Sequence, residues 1–126
     1  MAYKVNAIII DDELSVLESF KMILGIKDYA VTTAQNQAQA EAAVAKQHFD
    51  IAFIDMRFEG KEEGLHILKK VKELDPKLEA IIVTAFASDQ TKMEALRLGA
   101  FDYISKPFMM ETIYQIADRA LAKHKK

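Results

Sequence analysis

The sequence predicts a single α/β domain built on a five-stranded parallel sheet with helices on both faces, and three observations predict it. Five short runs rich in Ile, Val, Phe and Tyr occupy residues 5–10, 29–33, 51–54, 80–83 and 101–104. Their length and β-branching favour strands over pieces of buried helix. Their apolar residues are nearly continuous instead of alternating, as in a sheet covered on both faces, which is a parallel one. Segments of helical period separate the runs, so strands and helices alternate in the pattern of right-handed crossovers.

Taken in order, the first run ends Ile8-Ile9-Ile10 and meets the acidic triplet Asp11-Asp12-Glu13. A helical stripe follows at Leu14, Leu17, Phe20 and Leu24. The second run ends near Thr33 and Ala34 with nothing charged, and leads to an alanine-rich helix marked by Ala38, Ala42 and Ala45. The third run ends on Asp55. Beyond a charged loop, Leu65, Leu68, Val71 and Leu74 form the next stripe, stopped by Asp75-Pro76. The fourth run ends on Thr84 and precedes a helix carrying Met93, Leu96 and Leu98, closed by Gly99. The fifth ends Ser105-Lys106-Pro107. The last helix opens just after Pro107 and bears Ile113, Ile116, Ala117, Ala120 and Leu121. Residues 1–126 read as one domain with an ordered core over about residues 5–122. The basic stretch 123–126 reads as a frayed helix end or the start of a linker.

Composition sets the limits of function. With 126 residues and 51% apolar content, the chain can bury one sizeable core. Charged residues are 29% and the net charge is −2, which excludes an acid-rich disordered segment and a strongly basic nucleic-acid module. Cysteine is absent, so disulfides, thiolate nucleophiles and cysteine-built metal sites are excluded. No apolar stretch approaches a membrane span, and the first residues lack the pattern of a signal peptide. The expectation is a soluble cytoplasmic domain with no membrane contact and no nucleic-acid binding by these residues.

In a parallel sheet all strands deliver their C-terminal ends to one edge, where ligands bind. That edge is predicted to collect Asp11, Asp12, Asp55, Thr84 and Lys106. Three carboxylates brought together resist ionising at once. A hard divalent cation with oxygen ligands, such as Mg²⁺, relieves them and leaves one carboxylate free to form an acyl phosphate. Lys106 and the Thr84 hydroxyl suit the oxygens of a transferred phosphoryl group. Singly, Asp12 is equally a helix cap and Lys106 equally a solvated charge. Only their coincidence at one edge argues for chemistry.

The pieces Asp11-Asp12, Asp55, Thr84-Ala85 and Lys106-Pro107-Phe108, each after its apolar run, resemble the receiver domain of two-component response regulators over essentially the whole chain. The resemblance implies a doubly wound, flavodoxin-like sheet of strand order 2-1-3-4-5. It implies that Asp55 accepts a phosphoryl group from the phosphohistidine of a sensor histidine kinase or phosphotransfer protein. Asp11, Asp12, Asp55 and the backbone carbonyl of Arg57 would hold Mg²⁺, with Asp11 acting mainly through water. Thr84 and Lys106 would grip the phosphoryl oxygens, with the Lys106-Pro107 bond cis. Tyr103 would be the aromatic partner of Thr84 in a switch read out on the fourth helix, fifth strand and fifth helix, a face also suited to homodimerisation. The chain would change only itself, so it is not an enzyme toward outside substrates. A phosphorylation-independent interaction module and a phosphorelay intermediate remain the alternatives.

Two departures stand out. The family commonly carries proline four and glycine eight residues after the acceptor. Here the fourth is Glu59, and the glycines are Gly60 and Gly64, so the loop over residues 57–63 reads one residue longer and more charged. Arg57 and Phe86 flank the path of the hydrolytic water in the family; a bulky Phe86 either hinders that water and lengthens the phosphorylated lifetime or merely packs on the loop. His48, His66 and His124 read as surface histidines, and the methionines as gap fillers or residues at helix ends. Arg97, Asp102 and Arg119 read as solvated charges. Two rival functions fail at the site. A flavin carrier of the same fold needs a phosphate loop where Asp11-Asp12-Glu13 stands, and a haloacid-dehalogenase-type phosphatase needs a carboxylate where Arg57 stands.

Overall fold

A computed structural model describes residues 5–57, 63–85 and 88–124, without the side chain of His124. The order of elements is β1 (Asn6–Ile10), α1 (Leu14–Gly25), β2 (Ala30–Ala34), α2 (Gln37–Lys46), β3 (Ile51–Asp55), α3 (Gly64–Leu74), β4 (Glu79–Thr84), α4 (Asp89–Arg97), β5 (Asp102–Ser105) and α5 (Met110–His124). The five strands form one parallel sheet in the order β2-β1-β3-β4-β5. The expected architecture and strand order are therefore present. No helix among the described residues is long and apolar enough to cross a membrane.

The pleat divides each central strand between two cores. Ile8, Ile10, Ala52, Ile54, Ala80 and Ile82 face a cluster built with α2, α3 and α4. Ala7, Ile9, Ile51, Phe53, Ile81 and Val83 face the cluster built with α1 and α5. In the second cluster, Phe20 lies 5.0 Å from Phe53 and 5.2 Å from Phe108, both tilted, the geometry aromatic quadrupoles prefer. Two-sided burial explains why these strands read as unbroken apolar runs.

Several helical faces differ from expectation. In α2 the buried residues are Ala40 and Val44, while Ala38, Ala42 and Ala45 are exposed. Alanine signals helix propensity as readily as burial, so an alanine stripe does not mark the inner face. In α1, Ile23 joins the core and Leu14 is 63% exposed. In α3, Ile67 is buried and Leu74 is exposed. In α4 only Ala95 is buried, and Met93 is 70% exposed. This short helix approaches the sheet through a small residue and turns its larger ones outward. All five apolar residues expected to face inward from α5 do so. That helix begins at Met110, three residues past Pro107, and runs through His124 into the expected tail.

Helix ends are set by local chemistry. Asn36 caps α2 by accepting the Gln39 N–H. Ser88 and Thr91 form a reciprocal capping box at α4. Gly99, at φ +106°, makes the left-handed turn that closes α4, where a side chain would be strained.

Candidate functional site

The strand ends are tied together before any side chain acts. The Asp11 N–H donates to the Ala34 carbonyl at 3.0 Å, Met56 to Val83 at 2.9 Å, and Lys106 to Thr84 at 2.7 Å. These bonds extend the parallel ladder one residue past the strands and fix Asp11, Asp55 and Lys106 along one edge. The Lys106-Pro107 peptide is cis.

At that edge, carboxylate oxygens of Asp11, Asp12 and Asp55 lie within 4.8 Å of one another. Lys106 Nζ stands 2.9 Å from Asp55 Oδ1 and 3.6 Å from Asp11 Oδ2. Asp11 is 2% exposed and Asp55 is buried, while Asp12 is half-buried. Burial pushes the Asp11 carboxyl up to about 6, with the Asp55 and Asp12 charges adding to the rise. The Glu13 N–H, 2.9 Å from Asp11 Oδ1, and the Lys106 charge oppose it. Burial likewise raises Asp55, against the hydrogen bond and charge of Lys106 and the Arg57 backbone N–H. Burial alone would lower Lys106. The Asp55 hydrogen bond and the charges of Asp55, Asp11 and Glu13 outweigh it and hold the ammonium above its usual value.

This is a set of hard oxygen donors from three carboxylates, two of which stand beside the Lys106 ammonium. Such a set fits a hard divalent cation. It also fits a nucleophilic carboxylate already aligned beside a cation.

Other expected residues lie around this group. Thr84 ends β4, buried, next to the β3–β4 pairing of Asp55 with Val83. Arg57 is exposed and contributes its backbone N–H to Asp55. Pro107 is exposed. Tyr103 is not in the carboxylate group. It sits on β5, half-buried against the core cluster under α4, with Lys92 Nζ 4.8 Å from its ring centroid. Phe86 and the loop over residues 58–62 lie outside the described residues.

Gly64 is a residue whose role the sequence reading missed. A Cβ there would fall 2.2 Å from the Asp55 carbonyl oxygen and 2.6 Å from Met56 Cα. The Gly64 N–H donates to the Met56 carbonyl at 2.9 Å, so the head of α3 rests directly on the backbone that carries Asp55. A glycine opening an apolar helical stripe was the available signal. Away from the site, His48 is at the surface as expected, but engaged: Nδ1 is 2.5 Å from Asp75 and Nε2 is 3.6 Å from Asp50. Arg119 lies 3.6 Å from Asp102, and Arg97 pairs with Glu94.

Comparison with known proteins is consistent in every direction. The family described as the response regulator receiver domain matches residues 7–118. The chain is 37% identical over 100 residues, 79% of its length, to the alginate biosynthesis transcriptional regulatory protein AlgB of Pseudomonas aeruginosa. It is 33% identical over 119 residues, 94% of its length, to the transcriptional regulatory protein ZraR of Salmonella typhimurium. It spans only 22% and 27% of those two relatives, about a quarter of their length. Among solved structures, a CheY-like response regulator receiver domain protein from Methanospirillum hungatei JF-1 superposes with a TM-score of 0.91 at 28% identity, covering 98% of both chains. The receiver domain of NtrX from Brucella abortus gives 0.85 at 28% identity, covering 92% of this chain and 98% of that one.

Proposed function

The chain belongs to the response regulator receiver domain family of two-component signalling, and we propose that it is a Mg²⁺-dependent phosphoacceptor in which Asp55 is the accepting group. The observation that carries this reading is the Lys106 ammonium on Asp55 Oδ1 inside a cluster of three carboxylates. Asp11, Asp12, Asp55 and the Arg57 carbonyl would hold Mg²⁺, which when bound supplies neutralising charge for the incoming phosphoryl oxygens. An Asp55 oxygen attacks the phosphorus of a kinase or phosphotransfer-protein phosphohistidine. The O–P bond forms as the P–N bond breaks, and the imidazole leaves with the bonding pair and takes up a proton. Lys106 stays paired with the developing charge and Thr84 donates its hydroxyl to a phosphoryl oxygen. Tyr103 and the face formed by α4, β5 and α5 transmit the change, and the exposed Met93 and Leu96 on α4 support that face as the output or homodimer surface. The chain alters only itself. It works in the cytoplasm, where a kinase charges its histidine from ATP.

The test is intact mass after incubation with acetyl phosphate or a phosphoramidate, with Mg²⁺ or with EDTA. A gain of one phosphoryl group is expected only with Mg²⁺, and none in Asp55→Asn. No adduct on a folded, Mg²⁺-supplied wild type would instead indicate a phosphorylation-independent interaction module.

A further inference from the structure

The proposed signal has to travel from Thr84 to Tyr103, and α4 lies between them in the chain. Its first turn carries a reciprocal cap. Ser88 and Thr91 exchange capping hydrogen bonds, and the Lys92 N–H donates to the Ser88 carbonyl at 3.0 Å. From that capped turn the Lys92 side chain crosses to β5 and sets its ammonium over the Tyr103 ring, 4.8 Å from the centroid. The ring is itself partly buried against the core cluster that includes Ala95 of α4. Lys106 rests on Asp55 Oδ1, so this is the arrangement that accompanies the free carboxylate.

We propose that Lys92 is a positioning residue that holds Tyr103 against α4 in the resting arrangement, so that the proposed switch must break a cation–π contact to move. The inference rests on the reading of Thr84 and Tyr103 as a switch. A ligand shifts a two-state equilibrium only by its differential affinity, and a contact made in one state alone biases the equilibrium by its own strength. A partly exposed ammonium–aromatic contact biases it about two- to fivefold. The chain supplies its own control. Lys27 Nζ lies 5.1 Å from the Tyr114 ring, joining the turn after α1 to α5.

The experiment compares rates of phosphorylation by acetyl phosphate, with Mg²⁺, for wild type, Lys92→Met and Lys27→Met. Methionine keeps the apolar stem and removes the charge. Lys92→Met is expected to react two- to fivefold faster, by freeing the reactive arrangement, and Lys27→Met to match wild type. Simple loss of positive charge would slow reaction with an anionic donor, the opposite sign. In a Tyr103→Leu background the Lys92→Met effect should vanish. An unchanged or slower Lys92→Met, or an increase that survives in that background, overturns the inference. ¹⁹F NMR of fluorotyrosine-labelled protein gives a readout that needs no phosphorylation. The Tyr103 resonance, assigned by its loss in Tyr103→Phe, should move in Lys92→Met, and a resonance that stays in place overturns the contact. If wild type takes no phosphoryl group, the proposed function falls and the switch role falls with it. If wild type reacts and Lys92→Met merely matches it, the inference alone falls.

Discussion

At the N-terminal edge of the sheet, Asp50 is 3% exposed and accepts the Asn6 N–H at 2.8 Å, with His48 beside its other oxygen. Glu79, also buried, faces Lys123 at 3.8 Å. At the C-terminal edge, Asp11 and Asp55 are buried as deeply, but Asp12 lies within 4.8 Å of both and Asp11 and Asp55 share Lys106. Both edges bury acids. At one, each acid stands apart with partners of its own; at the other, three carboxylates are gathered within reach of one another. Burial of a carboxylate is therefore a feature of the fold, and crowding of carboxylates is the feature of a site.

The largest effect expected from this contrast comes from removing the ammonium at each edge. Lys106→Met should slow phosphorylation by acetyl phosphate about 100- to 1000-fold, the usual loss of a charge-stabilising donor. Lys123 is exposed, so Lys123→Met should leave the rate unchanged and alter urea-denaturation stability by no more than about 0.5 kcal/mol. If Lys106→Met keeps most of its rate, the asymmetry between the edges is not catalytic.

Next in size is a dependence on pH and Mg²⁺ that only the crowded edge should show. Asp11 holds its proton up to about pH 6 when folded, against 3.8 unfolded. The folded state thus binds more protons than the unfolded one between those values. The stability this carboxyl contributes is complete below about pH 4 and is lost as pH rises through 6. The span corresponds to about 2 to 3 kcal/mol. Asp11→Asn should therefore stabilise the metal-free protein by about 2 kcal/mol at pH 7.5 and by little at pH 3.5. Mg²⁺ at a hundred times its dissociation constant should stabilise wild type by about 2.7 kcal/mol near neutrality and less at pH 5, where protons compete. Asp11→Asn should lose most of that gain. Urea melts across pH, with Mg²⁺ or EDTA, check both. Equal Mg²⁺ stabilisation of wild type and Asp11→Asn would show that Asp11 does not serve the metal.

The same contrast explains what could be read from the sequence. The central strands were legible because burial on both faces makes an unbroken apolar run, and Asp11, Asp12, Asp55 and Lys106 were legible because each stands within two residues of the end of an apolar run. The inner face of α2 was not, because Ala38 and Ala42 look like Ala40 in composition and only packing distinguishes them. Nor was the contact between Lys92 and Tyr103, which joins residues on different elements through no local pattern. Gly64 showed itself only as a displaced glycine, since its meaning lies in the Asp55 carbonyl it allows α3 to approach.

The smallest effect expected is the one that isolates the edges from each other. Asp50 immediately precedes β3, which carries Asp55 at its far end. The two are separated by the length of the strand, about 16 Å at the usual rise. Asp50→Asn keeps an oxygen for the Asn6 N–H and removes the charge that faces His48. It should destabilise by about 1 kcal/mol, with the phosphorylation rate and the Mg²⁺ response equal to wild type. Either of those changing with Asp50→Asn would mean that strain passes along β3 from one edge to the other, and the site could no longer be treated as a property of the C-terminal edge alone.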